Sequence, residues 1–289
     1  MKPREGKKPR AGRARRRLVV RQVECKTVLN RSSIGQYTMN CYTGCQHSCI
    51  YCYARFMQRF HPHPEPWGEF VDVKVNAPEA LGRQLKRAKP GSVFVSSACD
   101  AWQPLERKWE LTRECCRMLI EHGFRVNALT KNTLVLRDLD IFRPGLTQVG
   151  VTITTLDPRL AKLWEPAASS VEERCHVLQT ARDAGLETAI MFGPLLPALS
   201  DGQDSLNALF ERAAELDVDL IWVDAMNPRP RVWPSVGPFL RREFPELHDR
   251  YSRLLHDGET REAYVKELGD RVRKAARQHH LEGRLAGCP

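Results

Sequence analysis

Short β-branched runs separated by helical patterns recur along this chain, and that alternation restricts it to a parallel sheet wrapped by helices. Strands are expected at 70–75 (FVDVKV), 92–97, 124–129, 148–154, 187–192 and 219–223. Helical spacing fills 78–89, 109–122, 170–184 and 205–216, with Pro78 near a first turn and Gly123 as a stop. A further strand is expected at 37–40, followed by a loop and a helix from about 50 to 60. Strand and helix in succession build βα units around a parallel sheet. About six such units suit an α/β fold of the partial (β/α)6 TIM-type barrel, rather than a closed eight-stranded one.

The ends of the chain break this pattern. Residues 1–17 hold nine basic side chains against Glu5, which accounts for +8 of a net charge of +10. A like-charge block without apolar periodicity is expected to be a disordered tail over 1–18. It serves either as an electrostatic arm for nucleic acid or as a solubilising tail. The barrel is assigned to 19–226. Residues 227–238 (NPRPRVWPSVGP) open a proline-rich linker, and 227–289 is read as a helical C-terminal extension with helices over 238–255 and 259–278. In the first of these Phe239, Leu240, Leu247, Tyr251, Leu254 and Leu255 are spaced like a packing stripe. HPHPEPWG (61–68) is read as an exposed loop whose His61 and His63 are solvated surface.

With 42% hydrophobic and 28% charged residues the composition is that of a soluble globular protein. No run approaches the roughly 18 apolar residues of a membrane span, and Leu18, Val19 and Val20 are too few for a signal peptide. A cytoplasmic protein without a membrane partner is the expectation, and its ten cysteines are too scattered for a disulfide framework.

The chemistry concentrates in NCYTGCQHSCIYCYAR (40–55), where Cys45, Cys49 and Cys52 are spaced C-x3-C-x2-C. Three thiolates from one short loop can converge on a compact site. A cluster of four irons normally takes four cysteines, so three would leave one iron open. The same residues also suit structural zinc, with Cys41 or His47 as a fourth ligand.

The spacing, with Tyr51 before the last cysteine, resembles the signature of the radical S-adenosylmethionine (SAM) enzymes. The wider pattern N-x-Y-x-G-C-x-H-x-C-x-Y-C-Y-A-R resembles their spore photoproduct lyase-like branch. SSACDAWQPLE (96–106), ALTKNTLVLRDLDIF (128–142), TITTLDPRLAKLWEP (152–166) and the turn over 192–201 resemble further family segments. The last departs at Ala198 and Ser200, where glycine and asparagine are usual. The resemblance implies the partial barrel and one 4Fe-4S cluster on Cys45, Cys49 and Cys52. It further implies reductive cleavage of SAM to a 5′-deoxyadenosyl radical, which takes hydrogen from a substrate. A one-electron donor such as flavodoxin or ferredoxin would serve it. Nucleic acid is the leading substrate class, a peptide or small metabolite the alternative. A metal-stabilised nucleic-acid-binding protein is the non-enzymatic one.

The matched segments also suggest site residues. Lys131 ends a strand, where its charge could reach the carboxylate or ribose of SAM. Ser96, Ser97 and Thr154 end other strands, Tyr51 and Tyr53 flank Cys52, and Glu165 precedes Pro166; all are candidates for holding SAM. Cys99 and Asp100 are the catalytic candidates, Cys99 as a hydrogen-atom donor or else a buried small hydrophobe.

Overall fold

The computed structural model describes residues 18–289, so the expected basic tail falls, but for Leu18, outside the described residues. In chain order the first strands are β1 (Val19–Val23), β2 (Leu29–Arg31), β3 (Tyr37–Met39) and β4 (Tyr42–Thr43). After a 3-10 helix over Tyr53–Arg59 come β5 (Phe70–Lys74), α1 (Ala77–Leu85) and β6 (Ser92–Val95). The middle of the chain holds α2 (Glu106–Trp109), α3 (Leu111–Glu121), β7 (Arg125–Thr130), β8 (Thr147–Thr152), α4 (Pro158–Trp164) and α5 (Val171–Asp183). The last part comprises β9 (Glu187–Leu195), α6 (Gln203–Glu215), β10 (Leu220–Ala225), α7 (Trp233–Glu243), α8 (His248–His256), α9 (Gly258–Gln278) and β11 (Leu285–Gly287).

The main sheet has the order β11-β10-β9-β8-β7-β6-β3-β2. From β3 to β10 it is six parallel strands in sequence order, the partial (β/α)6 barrel. Every residue of β8 is buried, as helices on one face and a packed interior on the other require. Helix starts obey local chemistry. Asp157 caps α4 with Pro158 in its first turn, and Ser170 and Glu173 form a capping box on α5.

Four expectations are corrected. FVDVKV does not join the barrel: β5 sits between β1 and β4 in a separate three-stranded sheet. The expected helix over 50–60 is a 3-10 helix that starts only at Tyr53. The preceding amides are already committed, Ile50 N–H to the Trp164 carbonyl (2.9 Å) and Cys52 N–H to the Cys49 carbonyl (3.3 Å). The single helix over 238–255 is two, because α7 begins at Trp233, takes Pro238 into its interior and ends before Pro245. Finally, His63 is not solvated surface. Its ring stacks on Phe70 at 3.7 Å, with Asp72 at one nitrogen (3.0 Å) and Glu65 at the other (3.1 Å).

The C-terminal helices form a second apolar core. Trp164, fully buried, meets Phe239 at 4.7 Å, Tyr251 at 6.1 Å and Tyr51 at 6.3 Å between ring centroids. Cys49 and Tyr51 belong to this same core, so α7 and α8 back the cysteine loop. The extension also returns to the barrel, because β11 pairs in parallel with β10. Among the described residues no helix is long and apolar enough to cross a membrane.

Truncating Trp164 to alanine would empty the centre of this second core. A loss of about 3–5 kcal/mol is expected, read as a lower denaturation midpoint; an unchanged midpoint would mean that the C-terminal helices do not bear on the cysteine loop.

Candidate active site

The C-terminal ends of the barrel strands open on a cavity of about 510 Å³. Cys45, Cys49 and Cys52 line it together, the first two buried and the third half-buried. Tyr51, Tyr53, Ser96, Ser97, Cys99, Asp100 and Lys131 line it as well. Thr154 and Glu165 do not; Thr152, at the end of β8, does.

The cysteine loop is held from the segment that follows β6. The Gln103 side chain accepts from the Gln46 amide (2.9 Å) and donates to the Gly44 carbonyl (3.3 Å). The Gln46 side-chain oxygen in turn accepts from the Leu105 amide (2.6 Å). Glu106, fully buried, accepts from the Tyr42 hydroxyl, from the Thr112 and Arg113 amides, and from Arg137. Gly44 has φ +89°, and a side chain there would strike the Phe70 carbonyl oxygen. Asn40 fixes the turn after β6, donating to the Ser97 hydroxyl (2.7 Å) and accepting from the Ala98 amide (2.8 Å).

Asp100 is an organiser in this geometry. One oxygen accepts from the Trp102 amide and the Thr130 hydroxyl, the other from the Lys131 amide, with His47 Nδ1 at 3.2 Å. Its oxygens are therefore engaged within the protein. Burial alone would raise its pKa, but His47, the Lys131 amide and the Thr130 hydroxyl outweigh burial and hold it at about 2. The Asn132 side-chain amide faces the other nitrogen of His47 at 3.2 Å, which assigns the His47 proton to Nδ1, toward Asp100.

Glu165, Thr154 and Tyr51 form a buried knot behind the cavity wall. Glu165 accepts from the Tyr51 hydroxyl and from Thr154 (2.8 Å), and lies 2.6 Å from Arg174. Burial pushes the Glu165 carboxyl up, yet Arg174 and Lys131 bring it below the usual carboxylate value. Arg174 also donates to the carbonyls of Ser169 (2.9 Å) and Thr152 (2.8 Å), tying α5 to the end of β8. Thr154 and Glu165 are thus committed to the scaffold, and of this group only Tyr51 reaches the cavity.

Other expected residues line the cavity. The Lys131 ammonium has no hydrogen-bond or ion-pair partner among the described residues and stands 5.9 Å from the Tyr51 ring centre. The Cys99 thiol lies 3.7 Å from Asn40 Oδ1, and burial raises its pKa, so the sulfur keeps its proton. Tyr53 donates to the Ser97 carbonyl (2.5 Å), and the Ser96 hydroxyl accepts from the Ala101 amide (3.0 Å).

Sequence reasoning missed Asp224, Arg229 and Arg261, which complete the rim. The Arg229 guanidinium lies over the Phe56 ring at 4.7 Å. Asp224 is the penultimate residue of β10, so its place near a strand terminus was the available signal. Arg174 had one too: it occupies a core-facing position of α5 between Val171 and Leu178. Arg261 projects from α9 and had none.

The three thiols fit an anionic cluster. Arg55 donates to the Cys49 carbonyl (3.0 Å), and together with Lys131 it lowers thiol pKa values that burial has raised. Arg55 Nε and Trp67 Nε1 are buried donors without an acceptor. Both proposed fourth ligands for zinc are otherwise engaged, His47 with Asp100 and Cys41 with Cys115 at 3.8 Å. Among the described residues no three His, Cys, Asp or Glu side chains are gathered closely enough to hold a single metal ion.

Asp100→Asn would set an amide N–H against the donors now facing the carboxylate, at a cost of about 1–3 kcal/mol. Because the folded pKa is depressed, the carboxylate's contribution is complete above the unfolded value of about 3.9 and vanishes as pH falls through about 2. Denaturation of both proteins across pH is expected to show a gap that holds from neutrality to about pH 5 and closes below about pH 4.

Comparison with known proteins agrees with this geometry. An uncharacterized protein of Methanocaldococcus jannaschii is 36% identical over 183 residues, covering 62% of this chain and 69% of that one. The spore photoproduct lyase of Clostridium acetobutylicum is 26% identical over 166 residues, 56% of this chain and 47% of its own. Among solved structures, spore photoproduct lyase complexed with a dinucleoside spore photoproduct superimposes with a TM-score of 0.68 at 17% identity, over 92% of this chain and 81% of that one. At that identity the likeness speaks for the fold. Residues 39–207 match the family described as the Radical SAM superfamily, whose members work with a 4Fe-4S cluster and SAM. The chain belongs to the Radical SAM superfamily and is an enzyme of that family with a fold like that of spore photoproduct lyase.

Proposed function

We propose that Cys45, Cys49 and Cys52 hold a 4Fe-4S cluster, that SAM binds beside it, and that the substrate is a nucleic acid. The observation that carries this reading is the meeting of three thiols and the unpartnered Lys131 ammonium in one strand-end cavity. When bound, the cluster supplies the electron that cleaves SAM to a carbon radical able to take hydrogen from the substrate. Lys131 pairs with the SAM carboxylate, and with Arg55 it offsets the negative charge of the thiolates. Cys99, protonated and facing the cavity, offers an S–H hydrogen to a substrate radical. Ser96, Ser97 and Tyr53 shape the wall between these groups. A one-electron reductant such as flavodoxin or ferredoxin is required as partner.

Support for nucleic acid comes from the rim. Arg229 and Arg261 add positive charge to the cavity lining, and the Arg229 guanidinium lies beside the rings of Tyr53 and Phe56, a combination suited to phosphate and base. The sequence adds a segment of net charge +8 over 1–17. A structure of similar fold was solved with a dinucleoside lesion bound.

Anaerobic reconstitution with iron and sulfide, then reduction, should give 5′-deoxyadenosine from SAM. None is expected from a variant with Cys45, Cys49 and Cys52 all changed to alanine. Lys131→Met is expected to keep its iron but bind SAM roughly 10-fold or more weakly, as loss of a charge-assisted hydrogen bond implies. Equal SAM affinity would remove Lys131 from the site. Truncation at Leu18 should weaken DNA or RNA binding and flatten its salt dependence by roughly 0.9 per lost phosphate contact. Stimulation of SAM cleavage by peptides and not by nucleic acid would transfer the substrate reading to peptide.

A further inference from the structure

The segment after the last cysteine of the loop winds as a 3-10 helix, Tyr53–Arg59, and that winding sorts its side chains. Three residues per turn put positions i and i+3 in one column. Ala54 turns inward and is buried, whereas Tyr53 and Phe56 share a column and stack, with ring centroids 6.4 Å apart and planes 13° from parallel. The helix stops at Phe60, whose amide bonds to the Met57 carbonyl (3.0 Å) and whose ring meets Phe56 edge-on at 6.4 Å. Three aromatic rings thus follow one another in a row.

The row leads from the cavity outward. Tyr53 lines the cavity, Phe56 is half-buried and Phe60 is 64% exposed. A lone exposed phenylalanine is ordinary on a globular protein, but one that ends a continuous row leading out of a cavity marks a surface for another molecule. The row also carries charge. Arg229 is set between Pro228 and Pro230, and the Asn227 side chain accepts from its amide (3.0 Å). Its guanidinium lies 4.7 Å from the Phe56 ring centre and 6.0 Å from that of Tyr53, and among the described residues no carboxylate pairs with it. A free cation beside accessible rings is complementary to an anion joined to flat apolar groups, which describes a phosphodiester strand with unpaired bases. In a duplex the base faces are stacked on one another and closed to such rings.

We propose that Phe56 and Phe60, with Arg229, form a stacking track for the unpaired nucleotides beside the reacting one, so that this chain takes its nucleic acid as a single strand. The reacting unit enters the cavity past Tyr53, a neighbouring base lies on Phe60, and Arg229 holds the phosphate between them. Such a track tolerates any sequence, because every base offers a flat face. The inference rests on the nucleic-acid reading of the preceding section and narrows it to an unpaired strand.

The test is binding by the full chain, read as fluorescence anisotropy of a labelled strand of about 12 nucleotides and of its duplex, for wild type, Phe60→Ala, Phe60→Tyr and Arg229→Gln. Phe60→Ala should weaken single-strand binding roughly 5-fold or more, the low end for one base stacked on a ring, and leave duplex binding unchanged; Phe60→Tyr should restore it. Because Phe60 is exposed, the denaturation midpoint should not move. Arg229→Gln should flatten the slope of log affinity against log salt by about 0.7, as for one phosphate contact on a single strand. Strands carrying 5-iodouracil should crosslink on irradiation to Phe56 or Phe60. Unchanged single-strand affinity in Phe60→Ala would overturn the track and leave nucleic acid standing as substrate, and so would crosslinks that fall only on other residues. Equal losses on strand and duplex would overturn the preference for an unpaired strand. A wild type that binds neither, and whose SAM cleavage responds to peptides alone, would overturn the nucleic-acid reading itself.

Discussion

Everything at this site depends on how a loop with few backbone bonds of its own is held in one conformation. The grip comes from residues 100–106, which follow β6 and present a carboxylate, an amide and a second carboxylate to the cysteine loop in turn. Asp100 faces His47, Gln103 binds at Gly44 and Gln46, and Glu106 takes the Tyr42 hydroxyl. Each of these groups is buried, so each contact is an obligation as well as a bond: removing one partner strands the other away from water. The loop is therefore specified by polar satisfaction, while apolar packing comes from both sides: Cys41, Tyr42 and Cys45 belong to the main core, Cys49 and Tyr51 to the core around Trp164.

The same logic explains why conspicuous polar motifs lie beside the cavity without facing it. Glu106 and Asp138, both fully buried, share Arg137, and Asp138 also meets Arg113 and the Trp102 indole. This network braces the loops after β6 and β7 against each other. Arg174 and Glu165 do so for β8 and its helices. Networks of this type contribute little net stability compared with apolar packing, yet they leave few alternative arrangements. The turn after β9 shows how far the backbone is dictated: Ala198 keeps φ +61°, a conformation that favours glycine, with its amide bonded to Asp201 (2.7 Å).

The sequence made the parallel strands legible because β-branched runs bounded by turns have few other uses, and the cysteine spacing pointed to the loop that carries the chemistry. Lys131, Cys99, Tyr51, Tyr53 and the two serines were placed on the cavity by the strand-end rule and by resemblance. What stayed hidden was which sheet a strand joins and which polar groups are buried. FVDVKV alternates like any half-buried strand, and only the packing of β1 and β4 against it decides its sheet. His63 sits among prolines and looks solvated, until Phe70 and Asp72 arrive from residues still to come. Thr154 and Glu165 resembled site residues for a sound reason, since they are adjacent to the site, but Arg174 pairs with Glu165 from a helix that begins beyond them, and Glu165 in turn takes the Thr154 hydroxyl.

The main sheet never closes. Its outermost strands, β2 and β11, lie at opposite ends of the strand order, yet Ile34, from the turn after β2, and Pro289, just past β11, border the same cavity. The two edges thus border one cavity across a seam that, among the described residues, no ladder of backbone bonds closes. A seam of this kind widens by rotamer changes at a cost far below that of parting two paired strands.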